Sequence, residues 1–318
     1  MLYAFAWIES NESKNCAFCG KKHIKKNGYK SGKQQYKCLT CNRQFLGGKR
    51  LNNQILWQEY TQGKQTYKQL ADKYGCSQKT IQRRLDTIDI KSRNRLTTRA
   101  NIVMDTTYFG RSFGLMVFID ASRKVVLHHC IIDYETNALY QQGIEYIKSQ
   151  GVDIKSITCD GRRGLNVLFK DIPMQMCQFH QLQIITRYLT RRPQNIASIA
   201  LRHLVLNIKS YDKTAFIQNL ESWYLAYKDY LNERSINAET GKTWYTHKRL
   251  RSAYRNLRTN SNWLFTYREL GNLNIPNTTN SLEGLFSELK RQLSSHNGLS
   301  KQRKIKFIKH FLLTYSAT

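Results

Sequence analysis

Two short cysteine pairs, Cys16-Ala17-Phe18-Cys19 and Cys38-Leu39-Thr40-Cys41, constrain this chain more than any other feature. Thiolates with two residues between them can turn toward one ion. Two such knuckles, with eighteen residues between them, complete a tetrahedral four-sulfur shell with no open coordination position. A closed shell of this kind holds one Zn2+, supports folding and performs no chemistry. Gly20 and Asn42, one after each knuckle, suit the tight turns the shell requires, and Tyr36-Lys37 reads as a ribbon strand leading into Cys38. Residues 1–50 are therefore expected to form a small zinc ribbon. The chain has eight cysteines, and the paired spacing of four of them in a protein of cytosolic character argues for metal rather than disulfides.

The charge balance narrows the partners. Against 22 acidic residues stand 51 basic ones, a net charge of +29. Such an excess favours a polyanion, most readily nucleic acid. Residues 1–100 hold 21 basic and 6 acidic residues, so the amino-terminal third is the first candidate for docking. The ribbon lysines, Lys21 to Lys37, either grip phosphates or form a solvated face. No apolar run approaches the roughly 18 residues of a membrane span. The opening segment Met1–Trp7 lacks the charge and cleavage pattern of a secretory signal and reads as a short strand or packing segment.

Between Ile55 and Ile88 the apolar period becomes helical. Thr66 to Leu85 has the layout of two helices around a tight turn, expected to be an α-helical helix-turn-helix domain over 51–92. Ala71 permits close helix contact, Gly75 makes the turn, Ser77 caps the second helix, and Ile81 and Leu85 face inward. Gln78, Lys79, Gln82 and Arg83 would then face the major groove. The alternative is a helical pair that touches no DNA. Lys91 to Arg99 is polar and aperiodic and reads as a linker.

Beyond it the pattern turns to strands at Ala100–Phe109, Ser112–Ile119 and Lys124–Ile132. A helix is expected over Asn137–Gln150, a strand ending at Asp160, a short helix at Leu165–Phe169 and a strand at Met174–Phe179. The order βββαβαβ predicts an α/β fold with an RNase H-like mixed-sheet core, its first part over 93–180. Helical material over 181–275 interrupts it, with Phe216, Leu220, Trp223, Tyr224, Tyr227 and Leu231 on one amphipathic helix. Trp223, Trp244 and Trp263 read as core residues. Thr243–Arg258 mixes five basic residues with aromatics and is a secondary candidate for a DNA-facing surface. A last helix over 276–318 carries the stripe Leu282, Leu285, Phe286, Leu289 and Leu293, with Glu283 at its edge and Glu288 on the other flank as runner-up.

Three acids stand out by placement. Asp105 lies within the first strand, Asp160 ends a strand expected beside it, and Glu283 begins the last helix. Phosphodiester cleavage needs an activated nucleophile on one side of phosphorus and a stabilised leaving oxygen on the other. Two Mg2+ ions held about 4 Å apart by carboxylates supply both.

On these residues the chain resembles insertion-sequence transposases with a DDE catalytic core of the Mutator-like kind, over residues 100–318. Met-Asp-Thr-Thr at Asp105, Cys-Asp-Gly-Arg-Arg-Gly-Leu at Asp160 and Thr-Thr-Asn-Ser-Leu-Glu at Glu283 match the three acids. Cys177-Gln178-Phe179-His180 is similar to the family's Cys-x-x-His element. The ribbon plus helix-turn-helix is not universal in that family.

The resemblance implies binding of terminal inverted repeats, cleavage at the element's ends and joining of the 3′ hydroxyl to target DNA, with Mg2+ or Mn2+. It further implies a homo-oligomer on double-stranded DNA, no membrane, and a bacterial cytoplasmic, nucleoid-associated location. Cys177 and His180 read either as support for the active site or as packing with a local hydrogen bond. Two other functions fit the same residues: a catalytically silent sequence-specific DNA-binding protein, and an RNase H-like nuclease without strand transfer.

Overall fold

The computed structural model describes residues 7–8, 15–46, 50–90 and 97–315. Most of the opening segment and residues 91–96 of the expected linker lie outside them. The chain divides into two compact units, residues 1–91 with 290–311 and residues 92–289 with 312–318.

In the first unit, β1 (Trp7–Ile8) pairs with a later strand, and β2 (Ile24–Lys30), β3 (Lys33–Cys38) and β4 (Gln44–Leu46) form a three-stranded antiparallel sheet. Ser31 and Gly32 join β2 to β3 with φ of 51° and 73°, the left-handed pair that matches the twist of a two-residue hairpin. β5 (Arg50–Leu51) is the antiparallel partner of β1. Three helices follow: α1 (Asn53–Thr61), α2 (Tyr67–Tyr74) and α3 (Gln78–Asp86).

Each helix start is dictated locally. Asn52 accepts from the Gln54 and Ile55 amides, Thr66 and Gln69 form a reciprocal capping box, and Ser77 accepts from the Thr80 amide. Gly75, at φ 59°, ends α2 in the left-handed conformation and leaves only Cys76 and Ser77 before α3. Ala71, Ile81 and Leu85 are buried, as their spacing predicts.

The second unit is built on a five-stranded mixed sheet. β6 (Arg99–Phe109), β7 (Phe113–Asp120) and β8 (Val125–Ile132) form an antiparallel meander. Arg99, assigned to the linker by its polarity, is the first residue of β6, because its register partner is Asp153. Thr136 caps α4 (Asn137–Ser149), and β9 (Asp153–Cys159) then returns parallel to β6. After α5 (Leu165–Leu168), β10 (Met174–Met176) adds parallel to β9, giving the spatial order β10-β9-β6-β7-β8.

The strand expected to run to Phe179 stops at Met176. β9 offers no partner beyond Cys159, whose carbonyl takes the Cys177 amide at 2.8 Å, and the Gln178 amide turns to the Asn277 carbonyl at 3.0 Å. The chain enters α6 (Gln178–Leu189) at once.

The intervening stretch contains α7 (Ile196–Leu206), α8 (Lys213–Asn232), a hairpin of β11 (Arg234–Ile236) and β12 (Thr243–Tyr245) that the helical periodicity did not announce, α9 (Lys248–Asn260) and α10 (Thr266–Glu269). Trp223 and Trp263 are buried as expected. Trp244 is not core: it sits half-buried on β12 with the Lys248 ammonium 5.4 Å from its ring centroid. α11 (Asn280–Ser294) buries Leu282, Leu285, Phe286, Leu289 and Leu293, and α12 (Lys301–Tyr315) closes the described chain.

The two faces of the five-stranded sheet differ in kind. Ala100, Ile102 and Met104 of β6, with Ile157 and Cys159 of β9, point into an apolar core shared with Tyr140, Ile144 and Ile147 of α4. Alternation sends Asn101, Asp105, Ser156, Thr158 and Gln175 to the opposite face. Four of these are buried polar residues and each is satisfied. Ser156 Oγ donates to Asn101 Oδ1 at 2.8 Å, and Asn101 Nδ2 donates to the Leu273 carbonyl at 2.7 Å. Thr158 Oγ1 donates to the Pro276 carbonyl at 2.8 Å, and Gln175 brackets the chain by donating to the Leu264 carbonyl and accepting from the Tyr267 amide, both at 2.9 Å. This row of polar side chains lays residues 264–277 across the sheet and delivers the start of α11 to the carboxyl ends of the parallel strands.

Candidate functional site

Two clusters collect ligating side chains, one in each unit. In the first, Cys16, Cys19, Cys38 and Cys41 place four sulfurs within 4.8 Å of one another. Cys16 and Cys41 Sγ are 3.5 Å apart, and Cys19 and Cys38 Sγ 3.6 Å. A disulfide would need about 2.05 Å, whereas a tetrahedral shell with Zn–S bonds of about 2.3 Å spaces its sulfurs at about 3.8 Å. The Phe18 amide lies 3.4 Å from Cys16 Sγ and the Cys41 amide 3.5 Å from Cys38 Sγ. These knuckle hydrogen bonds suit thiolates, and the Cys41 amide, first among several contacts, holds the Cys38 thiol down to about 6. Gly20 and Asn42 follow the knuckles with φ of 71° and 59°. The four cysteines can hold a structural zinc ion.

In the second unit, β6 and β9 are parallel neighbours whose register pairs Val103 with Thr158. Carried two residues further, that register sets Asp105 level with Asp160. Both acids lie on the polar face, at adjacent strands about 4.8 Å apart. The β9–β10 register, ending at Met176 opposite Cys159, puts Cys177 in the same row. Burial, together with the charge of Asp160, pushes the Asp105 carboxyl up to about 7 against the opposing hydrogen bond from the Thr106 amide. A carboxylate so disfavoured beside a second acid is a position that attracts positive charge.

The loop after Asp160 is built for close approach. Gly161 and Gly164 both have φ of 89°, and a Cβ on Gly161 would fall 2.3 Å from the Met176 methyl. Asp160 Oδ1 accepts from the Arg162 amide at 3.0 Å. The Arg162 side chain reaches the segment before α4, donating from Nε to Asn137 Oδ1 at 2.7 Å and from Nη2 to the Glu135 carbonyl at 2.9 Å. The Glu135 carboxylate accepts from Tyr140 Oη at 2.8 Å, and Tyr140 Oη lies 3.2 Å from Thr106 Oγ1. The loop bearing Asp160 and the strand bearing Asp105 are thus tied through one network.

Glu283 arrives on the first turn of α11, half-buried, with Oε1 3.9 Å from His180 Nε2. His180 lies on the first turn of α6 rather than at a strand end. Thr279, fully buried, joins the parts. Its amide donates to Cys177 Sγ at 3.3 Å, and its hydroxyl lies 3.3 Å from His180 Nδ1 and 3.5 Å from Glu283 Oε1. The hydrogen bond to Cys177, then the nearby aspartates, hold the His180 imidazole protonated up to about 9. Burial pushes the Cys177 thiol up, but hydrogen bonds with His180 and Thr279 outweigh it and the net direction is down. Cys177 and His180 therefore form a hydrogen-bonded pair in which each draws the other toward its charged form, beside the three carboxylates. Glu288 is half-buried on α11.

The expected site residues of the second unit come together: Asp105, Asp160, Cys177, His180 and Glu283 share one end of the sheet. Among the described residues only the four cysteines bring three or more ligand atoms within 4.8 Å, so the carboxylates form a wider mouth than a single closed shell. Sequence reasoning passed over Thr279, Glu135, Tyr140 and Arg162. Thr279 stood in the quoted run Thr-Thr-Asn-Ser-Leu-Glu without a role of its own. In the first unit, Gln78, Lys79 and Arg83 are exposed on α3 and Gln82 is half-buried. Among the described residues no helix is long and apolar enough to cross a membrane. No family model matches this chain, and no curated protein matches it.

Proposed function

We propose that this protein is a DNA transposase of the DDE kind, which cleaves the ends of a mobile element and joins the freed 3′ hydroxyl to target DNA. One arrangement carries the reading: Asp105 on β6 and Asp160 just after β9 fall level when the register of these parallel strands is carried on, with Glu283 brought to the same end through His180 and Thr279. The strand order β10-β9-β6-β7-β8, a meander followed by two parallel strands, is the order an RNase H-like core requires. The net charge of +29 suits double-stranded DNA as partner. The four-cysteine ribbon and the α2–α3 pair, with Gln78, Lys79, Gln82 and Arg83 on α3, are the proposed reader of terminal inverted repeats. Two ends must be brought together, so the active form is a homo-oligomer.

The carboxylates suit Mg2+ or Mn2+, since oxygen ligands of this hardness favour such ions and Asp105 is held where a cation relieves its burial. Bound there, a pair of such ions supplies nucleophile activation and leaving-group stabilisation. The chain's own residues do the rest. Thr279 and His180 orient Glu283, and the Arg162–Glu135–Tyr140 network fixes the loop that aims Asp160. The His180 imidazolium, charged at neutral pH, stands where a scissile phosphate would meet it.

The test uses duplex DNA taken from the sequence flanking the coding region, with Mg2+ added. Nicking is expected at the repeat end, falling by more than about 100-fold in Asp160→Asn, beyond what loss of an outer-shell partner costs. Nicking that survives this change removes the proposal. A precleaved end that fails to join plasmid DNA under conditions permitting cleavage makes the enzyme a nuclease instead.

A further inference from the structure

A cleft of about 870 Å³ begins at Phe179 and His180, runs along α6 and past its end to Arg191, and is lined from α7 by Arg202. Phe179, Gln183 and Arg187 form one row at four-residue spacing, Arg191 follows just past the helix end, and Arg202 enters from α7. From Phe179 to Arg187 the row spans roughly 12 Å. Phe179 is 39% exposed although it stands beside the site, and Arg202 Nε is buried without a hydrogen-bond partner among the described residues. None of the three arginines forms an ion pair among the described residues. The surroundings offer no acid from this part of the chain: residues 172–211 contain five Arg and Lys and no Asp or Glu.

An exposed aromatic at the end of a comb of unpaired guanidiniums suits one ligand chemistry. The aromatic face takes a base and the row of charges takes successive phosphates. A small anion would need converging donors. Here they are strung out over a length that matches roughly two to four nucleotides. His180 is shared between the mouth of the cleft and Glu283, so a strand lying in it would have one end at the carboxylates.

We infer that this cleft binds an unpaired segment of nucleic acid strand next to the scissile phosphate, with a base stacked on Phe179 and the backbone on Arg187, Arg191 and Arg202. The inference rests on the proposed reading of the carboxylate site, and it adds that the strand enters the site unpaired. An internal base of a duplex has both faces stacked and cannot reach Phe179 without opening.

The experiment measures binding of a fluorescent thymidine oligomer of roughly eight nucleotides to the full chain without divalent metal, between about 50 and 200 mM salt. Replacing Arg187, Arg191 and Arg202 together by Gln should flatten the log–log salt slope by about 2, at roughly 0.7 per lost single-strand phosphate contact. The corresponding triple Lys variant should keep the slope, which separates lost charge from lost fold. Phe179→Ala should weaken binding roughly 5- to 150-fold at unchanged slope, with Phe179→Trp restoring it. An unchanged slope in the Gln variant overturns the inference, as does equal binding by Phe179→Ala. Metal-dependent nicking is read on the same preparations. Nicking with an unchanged slope removes the cleft alone. A flattened slope with no nicking by the wild-type chain removes the carboxylate reading and leaves the cleft standing as a strand-binding groove.

Discussion

The two ligand clusters of this protein are assembled in opposite ways. The four cysteines come from two knuckles whose members are three residues apart, and the sulfurs close on one another within 4.8 Å. The carboxylates come from β6, the end of β9 and the first turn of α11, and they meet only because a sheet register and a row of buried polar side chains bring them level. A local cluster can be complete as soon as its own ligand is present. A distributed one depends on every element that carries it, and its geometry stays more open.

The sharpest way to break this contrast is to remove one thiol. Zinc binding of this type is worth roughly 10–16 kcal/mol of folding free energy in small domains. Cys38→Ser should therefore reduce bound zinc from about one ion per chain to none and expose residues 15–46 to hydrogen exchange. The unfolding transition of the five-stranded sheet should stay where it is. Elemental analysis paired with exchange mass spectrometry reads both, and a wild-type chain without zinc ends the structural-ion reading.

The distributed site should answer to pH instead. Asp105 keeps its proton up to about 7 in the folded chain against an ordinary value of 3.8. The folded state then binds more protons than the unfolded one between those values, so metal-free stability should fall as pH rises from about 4 to about 7. The ceiling for this loss is about 4 kcal/mol, at about 1.4 kcal/mol per unit. Asp105→Asn should remove the slope and raise metal-free stability at pH 8, and thermal melts across this range read it. Mg2+ should stabilise the wild-type chain at pH 8 and not the variant.

A smaller effect tests how the third acid is delivered. Asn101→Ala leaves the Ser156 hydroxyl and the Leu273 carbonyl without their partner, at about 1–3 kcal/mol for buried groups of this kind. Nicking should fall further than the stability loss explains, since Glu283 loses its anchoring. Equal nicking at saturating Mg2+ would show that the crossing segment is held by other contacts. The mildest change is Cys177→Ser, expected to bring the His180 pKa from about 9 back toward 6.5, as followed by NMR of the imidazole.

The same contrast explains what could be read from the chain. The knuckles, the turn residues Gly20 and Asn42, and the caps at Thr66 and Ser77 act within a few residues, so their spacing carries their structure. Strand order placed Asp105 within one strand and Asp160 at the end of a strand beside it, because both readings depend on pattern and order alone. Glu283 rested more on motif resemblance than on its place at the edge of a helical stripe: 123 residues separate it from Asp160, and no periodicity spans that distance. The usable signal was the polar residues inside apolar strands, Asn101, Ser156, Thr158 and Gln175, each of which demands a buried partner. The hairpin β11–β12 went unseen because its strands are three residues each, too short to show alternation against the helices around them.

The segment across the sheet also sets an order of events. Asn101 and Leu273, joined by one hydrogen bond, are 172 residues apart in the chain. Closing so long a loop carries an entropic cost that nearer contacts do not face. As domains generally fold in the order they are synthesised, the cysteine knuckles can close on zinc while most of the chain is still unmade. The carboxylates can meet only after α11 has left the ribosome. The ribbon can therefore be complete while the carboxylate site does not yet exist, so during synthesis the chain passes through an interval in which it holds its structural ion and has no site to act with.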